Sequence, residues 1–391
     1  MSLKRKITVS LLACLIFVVG WLTGSGAIDI SKNNQSTSKN LPANLNYTSV
    51  EKVYDELRAN YDGKLEESKL MDGLKKGLVE ASGDPYTEYM PPEDAEEFNG
   101  QLNGTFEGIG ALLGKNENGN VIIISPIDGF PAKKAGLQPR DVIVEINGED
   151  ALSLTTDQAV DKIRGPKGTT VKLRIIRDGK EDLKFDIVRE EINIPSVESK
   201  TLDGNIGYIK ISRFGDDTTT LTREAAEKFT SSGVKKIVLD LRGNPGGYLE
   251  SAVDVSSLWL DNKTVLQEKR DGVVIKTYKS RGESPLLGLP TVVLIDEGSA
   301  SASEITAGAL HDNKAASLLG TKSFGKGSVQ QPQTLDNGAL LKVTIARWFT
   351  PNGKNIDKEG IQPDQKVERT EADYEAGRDP QLDAAVQKLN Q

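Results

Sequence analysis

The hydrophobic period of this 391-residue chain changes twice, so it cannot fold as one kind of layer. From Tyr47 to about Glu80 apolar residues recur at helical spacing: Val50, Val53, Tyr54, Leu57 and Tyr61, then Leu70, Leu74 and Leu78. Gly83-Asp84-Pro85 ends that block. From about Thr105 to Glu190 the period is two. Val171, Leu173 and Ile175 alternate with Lys172 and Arg174, and Leu183, Phe185 and Ile187 with Lys184 and Asp186. Asp178-Gly179 between them signals a hairpin, and helical patterns occupy Pro131–Ala135 and Thr156–Ile163. From Ile192 onward short apolar runs (Ile206–Ile211, Ile237–Leu241, Val292–Ile295) read as buried strands, two of them followed by a Gly- or Ser-rich turn and a helix. Asn337-Gly338 signals a second hairpin, and Asp379 to Leu389 a terminal amphipathic helix. The expected organisation is an α/β multidomain chain: a helical segment 47–95, a β-rich domain 96–190, an α/β domain 191–370 and a helical tail 371–391.

Lys4, Arg5 and Lys6 precede an apolar run from Ile7 to about Leu22, as in a signal anchor whose basic end stays in the cytoplasm. Segment 1–27 is expected to be a retained anchor, with Ser25-Gly26-Ala27 as a cleavage site if it is a signal peptide. Either way the rest of the chain lies outside the cytoplasm, as a membrane-tethered or, after cleavage, a secreted protein. Residues 28–46 are polar and read as a flexible linker. The lone cysteine, Cys14, excludes an internal disulfide and argues against a four-cysteine zinc site; the apolar run continues past it, so it reads as membrane-embedded rather than lipidated. A net charge of -8 argues against a nucleic-acid partner. The apolar helical faces suggest a homodimer through the N-terminal helices.

The densest chemistry is Asp296-Glu297-Gly298-Ser299-Ala300-Ser301-Ala302-Ser303-Glu304-Ile305, where a buried strand gives way to a helix. Unpaired N–H groups at such a turn suit an oxyanion. Serines are also preferred helix caps, and three alternating ones leave the nucleophile open. The single histidine, His311, sits ten residues along the same helix from Ser301, roughly 15 Å away at about 1.5 Å per residue, which excludes a Ser-His-Asp triad. A buried lysine can lose its proton and serve as base. Lys326, between glycines in Phe324-Gly325-Lys326-Gly327, is the candidate, with Lys322 as competitor. Gln330, four residues on, is placed to hold the amine. Taken alone, the same loop reads as a solvated surface turn.

These segments together resemble the C-terminal processing peptidases, or tail-specific proteases. Ser299–Glu304 matches the family's nucleophile segment, Phe324–Gly327 its general-base segment and Asp240–Gly247 (Asp-Leu-Arg-Gly-Asn-Pro-Gly-Gly) a third motif. The resemblance runs on through Arg347–Gly353. It implies Ser301 as nucleophile, Lys326 as base, Gln330 as orienting residue, and an oxyanion hole from Gly246 or Gly247 with Ala302. It implies no metal or organic cofactor, and a crotonase/ClpP-like α/β protease core.

Phe106-Glu107-Gly108-Ile109-Gly110-Ala111, Ala135-Gly136-Leu137 and Val142–Gly148 resemble a PDZ domain. That implies capture of a substrate's C-terminal carboxylate by Gly108, Ile109, Gly110 and Ala111, with the peptide added as a strand. Arg164 follows the last helix of this domain, and the resemblance makes it a sensor of PDZ position, against the alternative of a solvated surface arginine. The expected function is an extracytoplasmic serine endopeptidase acting on protein or peptide substrates with free C-termini. Its rivals are a non-catalytic PDZ adaptor on a protease fold and, last, an acyl-CoA enzyme of the crotonase class.

Overall fold

The computed structural model describes residues 44–391, which fall into two units: one ending at Glu67, the other running from Ser68 to Gln391. The basic flank, the apolar run with Cys14 and most of the linker lie outside the described residues. Among the described residues no helix is long and apolar enough to cross a membrane. The first unit carries helix α1 (Thr48–Asn60), none of whose residues is buried; Val53, Tyr54 and Leu57 form an exposed apolar face.

Helix α2 (Glu67–Glu80) opens the second unit, and Leu74 and Leu78 on it are likewise exposed. After Gly83 comes a short strand, β1 (Glu88–Met90), then α3 (Pro92–Asn103). Proline in its first turn, Glu93 and Asp94 behind it, and Gly104 at φ 65 are ordinary start and stop signals for α3. Strand β2 (Thr105–Gly108) leads into the β-rich domain: β3 (Ala111–Lys115), β4 (Val121–Pro126), α4 (Pro131–Ala135), β5 (Val142–Ile146), β6 (Glu149–Asp150), α5 (Thr156–Ile163), β7 (Thr170–Arg177), β8 (Glu181–Val188) and β9 (Glu190–Asn193). The sheet order is β3-β4-β5-β7-β8, with β6 on β5. Val171, Leu173 and Ile175 point into its core while Lys172 is exposed, as the alternation predicts. Strands β2 and β9 pair with each other and tie off the domain where the chain goes in and comes out.

The α/β part continues with β10 (Val197–Leu202), β11 (Ile206–Ile211), α6 (Thr218–Ser231), β12 (Lys236–Asp240), α7 (Leu249–Ser257), β13 (Thr264–Arg270), β14 (Val273–Lys279), β15 (Thr291–Ile295), α8 (Ala302–Asp312), β16 (Ser317–Gly320), β17 (Ser328–Thr334), β18 (Leu340–Phe349), β19 (Gln365–Lys366), α9 (Glu371–Glu375) and α10 (Pro380–Leu389). Strands β10-β11-β12-β15-β16-β19 form one sheet, parallel from β11 onward. Ile209, Ile237, Leu239 and Val293 pack on the helical side, and Tyr208, Val238, Val292 and Leu294 on the side covered by Ala385 and Leu389 of α10. Burial of both faces explains why these strands read as continuous apolar runs.

A second sheet, β1-β18-β13-β14 with β17 on β18, was not anticipated as a unit. Its β17–β18 hairpin turns at Asn337 (φ 62) and Gly338 (φ 84), where the Asn-Gly signal stands. The β13–β14 turn, Asp271 (φ 50) and Gly272 (φ 79), carries an equally readable Asp-Gly signal. Strand β1 has no such mark: three residues pair with β18 across 250 or more positions, Glu88 opposite Lys342.

Candidate active site

Parallel strands β12 and β15 both end in turns at the same edge of the sheet, and the turns are laced together. Gly243 N–H donates to Asp296 Oδ1 at 2.8 Å, Ala300 N–H to the Asn244 carbonyl at 3.0 Å, and Asn244 Nδ2 to the Ile211 carbonyl at 2.9 Å. Ser301 ends the second turn at φ 50, ψ -111, a backbone conformation that costs a non-glycine residue about 1–3 kcal/mol. The three alternating serines separate here. Ser299 is sealed and donates to the Leu241 carbonyl at 2.8 Å; Ser303 is sealed and donates to the Asn244 carbonyl at 2.9 Å. Ser301 alone of the three lines a cavity of about 840 Å³, together with Lys326, Gln330, Gly246 and Gly247.

One carboxylate joins the serine turn to the lysine loop. Glu304, with no exposed surface, accepts the N–H of Ser301 and the N–H of Lys326 on Oε2, each at 2.9 Å. On Oε1 it accepts Gly325 N–H at 2.8 Å and the Ser323 hydroxyl at 2.5 Å. Ser323 Oγ in turn accepts Ile361 N–H. Burial pushes the Glu304 pKa up, and these four donors oppose that rise. The backbones of Ser301 and Lys326 are therefore within about two hydrogen-bond lengths of each other.

Lys322 is exposed, whereas Lys326 lies in the cavity. Burial pushes the Lys326 amine below the ordinary lysine value; the Lys342 charge adds to that, and Asp84 and Glu304 oppose it. Trp348 fixes the loop from beneath by donating its indole N–H to the Lys326 carbonyl at 2.8 Å. Among the described residues no hydrogen bond joins Lys326 Nζ to Ser301 Oγ. The amine stands instead 5.1 Å from the centroid of the Tyr86 ring. Nor does Gln330 meet the amine: its Nε2 donates to Ser328 Oγ at 2.7 Å and to Thr344 Oγ1 at 3.4 Å.

Opposite Ser301, Gly246 (φ 105) donates its N–H to Asn244 Oδ1 at 2.8 Å. A Cβ there would stand 2.9 Å from the Ser301 Cβ and 2.8 Å from the Ala300 carbonyl oxygen, so only glycine fits. The N–H groups of Gly247 (φ 144) and of Ala302, in the first turn of α8, donate to no protein acceptor among the described residues. Behind this wall Arg242 grips Asp240 and Asp379, anchoring the C-terminal helix to the motif turn.

Gly108, Ile109, Gly110 and Ala111 form the bend from β2 into β3, the edge strand of the β-rich sheet, which packs beside α5. Gly110 takes φ 71. Arg164 caps α5, its guanidinium 4.9 Å from the Phe106 ring centroid and 3.7 Å from Glu97 of α3. The next residue on α3, Phe98, lines the cavity. His311 is at the far end of α8, with Nε2 3.0 Å from Asp364, away from Ser301. Among the described residues no cluster of His, Cys, Asp or Glu is arranged to hold a metal ion. Sequence reasoning did not identify Glu304 as a clamp or Tyr86 as a neighbour of the lysine. Glu304 carried a signal, since glutamate three residues after a serine cap is a capping box. Tyr86 carried none.

Residues 205–367 match the model of peptidase family S41, residues 122–177 that of a PDZ domain, and residues 14–94 that of the activating protease CtpB N-terminal domain. The chain is 38% identical over 375 residues to the carboxy-terminal processing protease CtpA of Bacillus subtilis, covering 94% of this chain and 78% of that one. It is 38% identical over 359 residues to a CtpA-like serine protease of Staphylococcus haemolyticus, covering 91% and 71%. Among solved structures it is similar to a photosystem II D1 C-terminal processing protease, at 26% identity and a TM-score of 0.50 over 82% of this chain and 87% of that chain. An S41 protease structure from Bacteroides fragilis, at 18% identity and a TM-score of 0.57 over 90% and 99%, shares the fold.

Proposed function

The chain belongs to the S41 family of C-terminal processing serine peptidases, and from that premise we propose that it cuts proteins bearing a free C-terminus with a Ser301–Lys326 dyad. The observation that carries this reading is the strained Ser301 turn, sharing one buried carboxylate and one cavity with a half-buried lysine. Neutral Lys326 takes the Ser301 proton, and Oγ attacks the peptide carbonyl. The N–H groups of Gly247 and Ala302 receive the oxyanion; Gly246, whose own N–H is spent on Asn244, serves by its lack of a side chain. The acyl-enzyme is released by water. Gln330 orients the amine once it has swung from Tyr86 towards Ser301.

The substrate tail docks at Gly108–Ala111, its carboxylate on the backbone N–H groups and its chain along the free edge of β3. Arg164 passes that occupancy to Glu97 and so to the cavity wall at Phe98. Amidating the C-terminus of a tailed substrate is expected to lower kcat/KM about 10-fold, the loss of roughly one charge-assisted hydrogen-bond set. Arg164→Ala is expected to shrink that difference. Equal kcat/KM for the free and amidated tails would end the tail-docking reading.

The protein is further proposed to be tethered to the membrane by Ile7–Leu22 behind Lys4–Lys6, with its catalytic part outside the cytoplasm. Full-length chain is expected to stay with alkali-washed membranes and to be digested by protease added outside intact spheroplasts. Protection of the catalytic part until the cells are lysed contradicts this orientation.

A further inference from the structure

The turn Gly83-Asp84-Pro85-Tyr86-Thr87 punctuates the sequence as a helix stop, yet it lies against the catalytic lysine. Strand β1 continues it onto β18, where Glu88 pairs with Lys342 in register and by a 2.8 Å ion pair. Thr344 of β18 donates its N–H to Thr87 Oγ1 at 3.1 Å, and Thr87 donates its hydroxyl to Asp84 Oδ2 at 2.6 Å. Tyr86 N–H donates to Asp84 Oδ1 at 3.3 Å, which ties its backbone into the turn. The turn is thus pinned to the strand that pairs with β17, directly after the lysine loop. Its half-buried tyrosine presents a ring face to Lys326 Nζ at 5.1 Å. A ring face attracts an ammonium, not a neutral amine. The lysine stem carries four carbons and pivots from a backbone held, with that of Ser301, on Glu304 Oε2.

We propose that Tyr86 is a positioning residue that holds the Lys326 ammonium in a stand-by place off Ser301, so that the Asp84–Thr87 turn sets the fraction of molecules with the base engaged. This rests on the Ser301–Lys326 reading above. The charged groups around the amine are Asp84 from the turn, Glu304 from α8 and Lys342 from β18. All three remain when only the ring is changed.

The test is hydrolysis of an amidated, tail-less fluorogenic peptide by the full chain. Tyr86→Leu is expected to raise kcat about 3-fold or more with KM little changed, since the ring's attraction for the ammonium is lost. Its acid limb in kcat against pH is expected to move to lower pH, because a ring that favours the charged amine no longer delays its deprotonation. Tyr86→Phe keeps the ring face and is expected to match the wild type. Tyr86→Met is a second ring-free variant should Tyr86→Leu fold poorly, as judged by the denaturation midpoint. A ring-free variant with a wild-type midpoint and a rate equal to or below wild type overturns the proposal. The Tyr86→Leu, Ser301→Ala double variant separates the two readings. If it still cuts, the Ser301 assignment fails; if it is silent while Tyr86→Leu alone is not faster, only the stand-by proposal fails.

Discussion

Ser301→Ala and Lys326→Ala are each expected to lower kcat on a tailed substrate by about 10⁴-fold or more, with KM changed far less. On the proposed dyad mechanism, both changes remove a group whose contribution is made in the transition state. The double variant is expected to be no slower than either single one, because the two groups act as a unit. Ser301→Ala gives up the serine's side of the α8 capping box, a cost of about 0.5–2 kcal/mol that leaves the fold in place. Ser301 Oγ is not a donor to the protein among the described residues, and alanine meets the same backbone conformation as serine at φ 50. Lys326 is a partly buried amine whose burial disfavours its charge. Lys326→Arg is expected to fail as a rescue, since guanidinium stays protonated. The pH profile carries a sign. The base must be neutral, and burial lowers its pKa from 10.5, so kcat/KM is expected to rise with pH and level off below 10.5. The same displacement acts on stability. The folded pKa lies below the unfolded one, so the penalty is complete at low pH and fades as pH rises through the folded value towards 10.5. Steady-state kinetics with the denaturation midpoint measured alongside decides the matter: wild-type turnover in either single variant would exclude the dyad.

Glu304→Gln is expected to cost about 3 kcal/mol or more of stability and to slow acylation of Ser301 sharply. The carboxylate accepts from four donors, two of them, Ser323 and Gly325, buried and two, Ser301 and Lys326, half-buried, and none has another acceptor among the described residues. An amide replaces one accepting oxygen with an NH₂ that opposes two of them. Each buried donor left unsatisfied costs about 1–3 kcal/mol. Two of the four are the N–H groups of Ser301 and Lys326, so loosening them spoils the approach of the amine to the hydroxyl. A 1 Å misplacement can cost on the order of 100-fold in rate. Urea denaturation measures the first effect. The rate at which a serine-acylating probe adds mass at Ser301 measures the second, and a merely structural clamp elsewhere would not move it at matched folded fraction. A glutamine variant as stable and as quickly labelled as the wild type would show that the clamp does not position the site.

The elements were legible where neighbours in sequence decide them. The runs at Ile206–Ile211, Ile237–Leu241 and Val292–Ile295, the helix Thr156–Ile163 and the Asn337-Gly338 turn were read nearly to the residue. Their causes are local: side-chain period, chain stiffness and the φ > 0 that a tight hairpin demands. The family was legible too, because three family motifs stand intact in one order. The second sheet was read only in part: the Asn337-Gly338 turn was marked, the Asp271-Gly272 turn was passed over, and the edge strand β1 carries no local signal.

By itself, the sequence determined that this chain has a helical leader, a β-rich domain and an α/β domain, and that no imidazole can serve its serine. Tertiary structure alone decided which serine faces the cavity, which glycine N–H is left open, and that one carboxylate holds the Lys326 backbone while one tyrosine ring faces its amine. The reason is that burial and hydrogen-bond satisfaction belong to groups that meet across long stretches of chain. Ser299 and Ser303 are sealed by carbonyls of Leu241 and Asn244, nearly sixty positions away, and Lys326 meets a ring 240 residues upstream. No period or turn rule acting over a few residues encodes such a meeting.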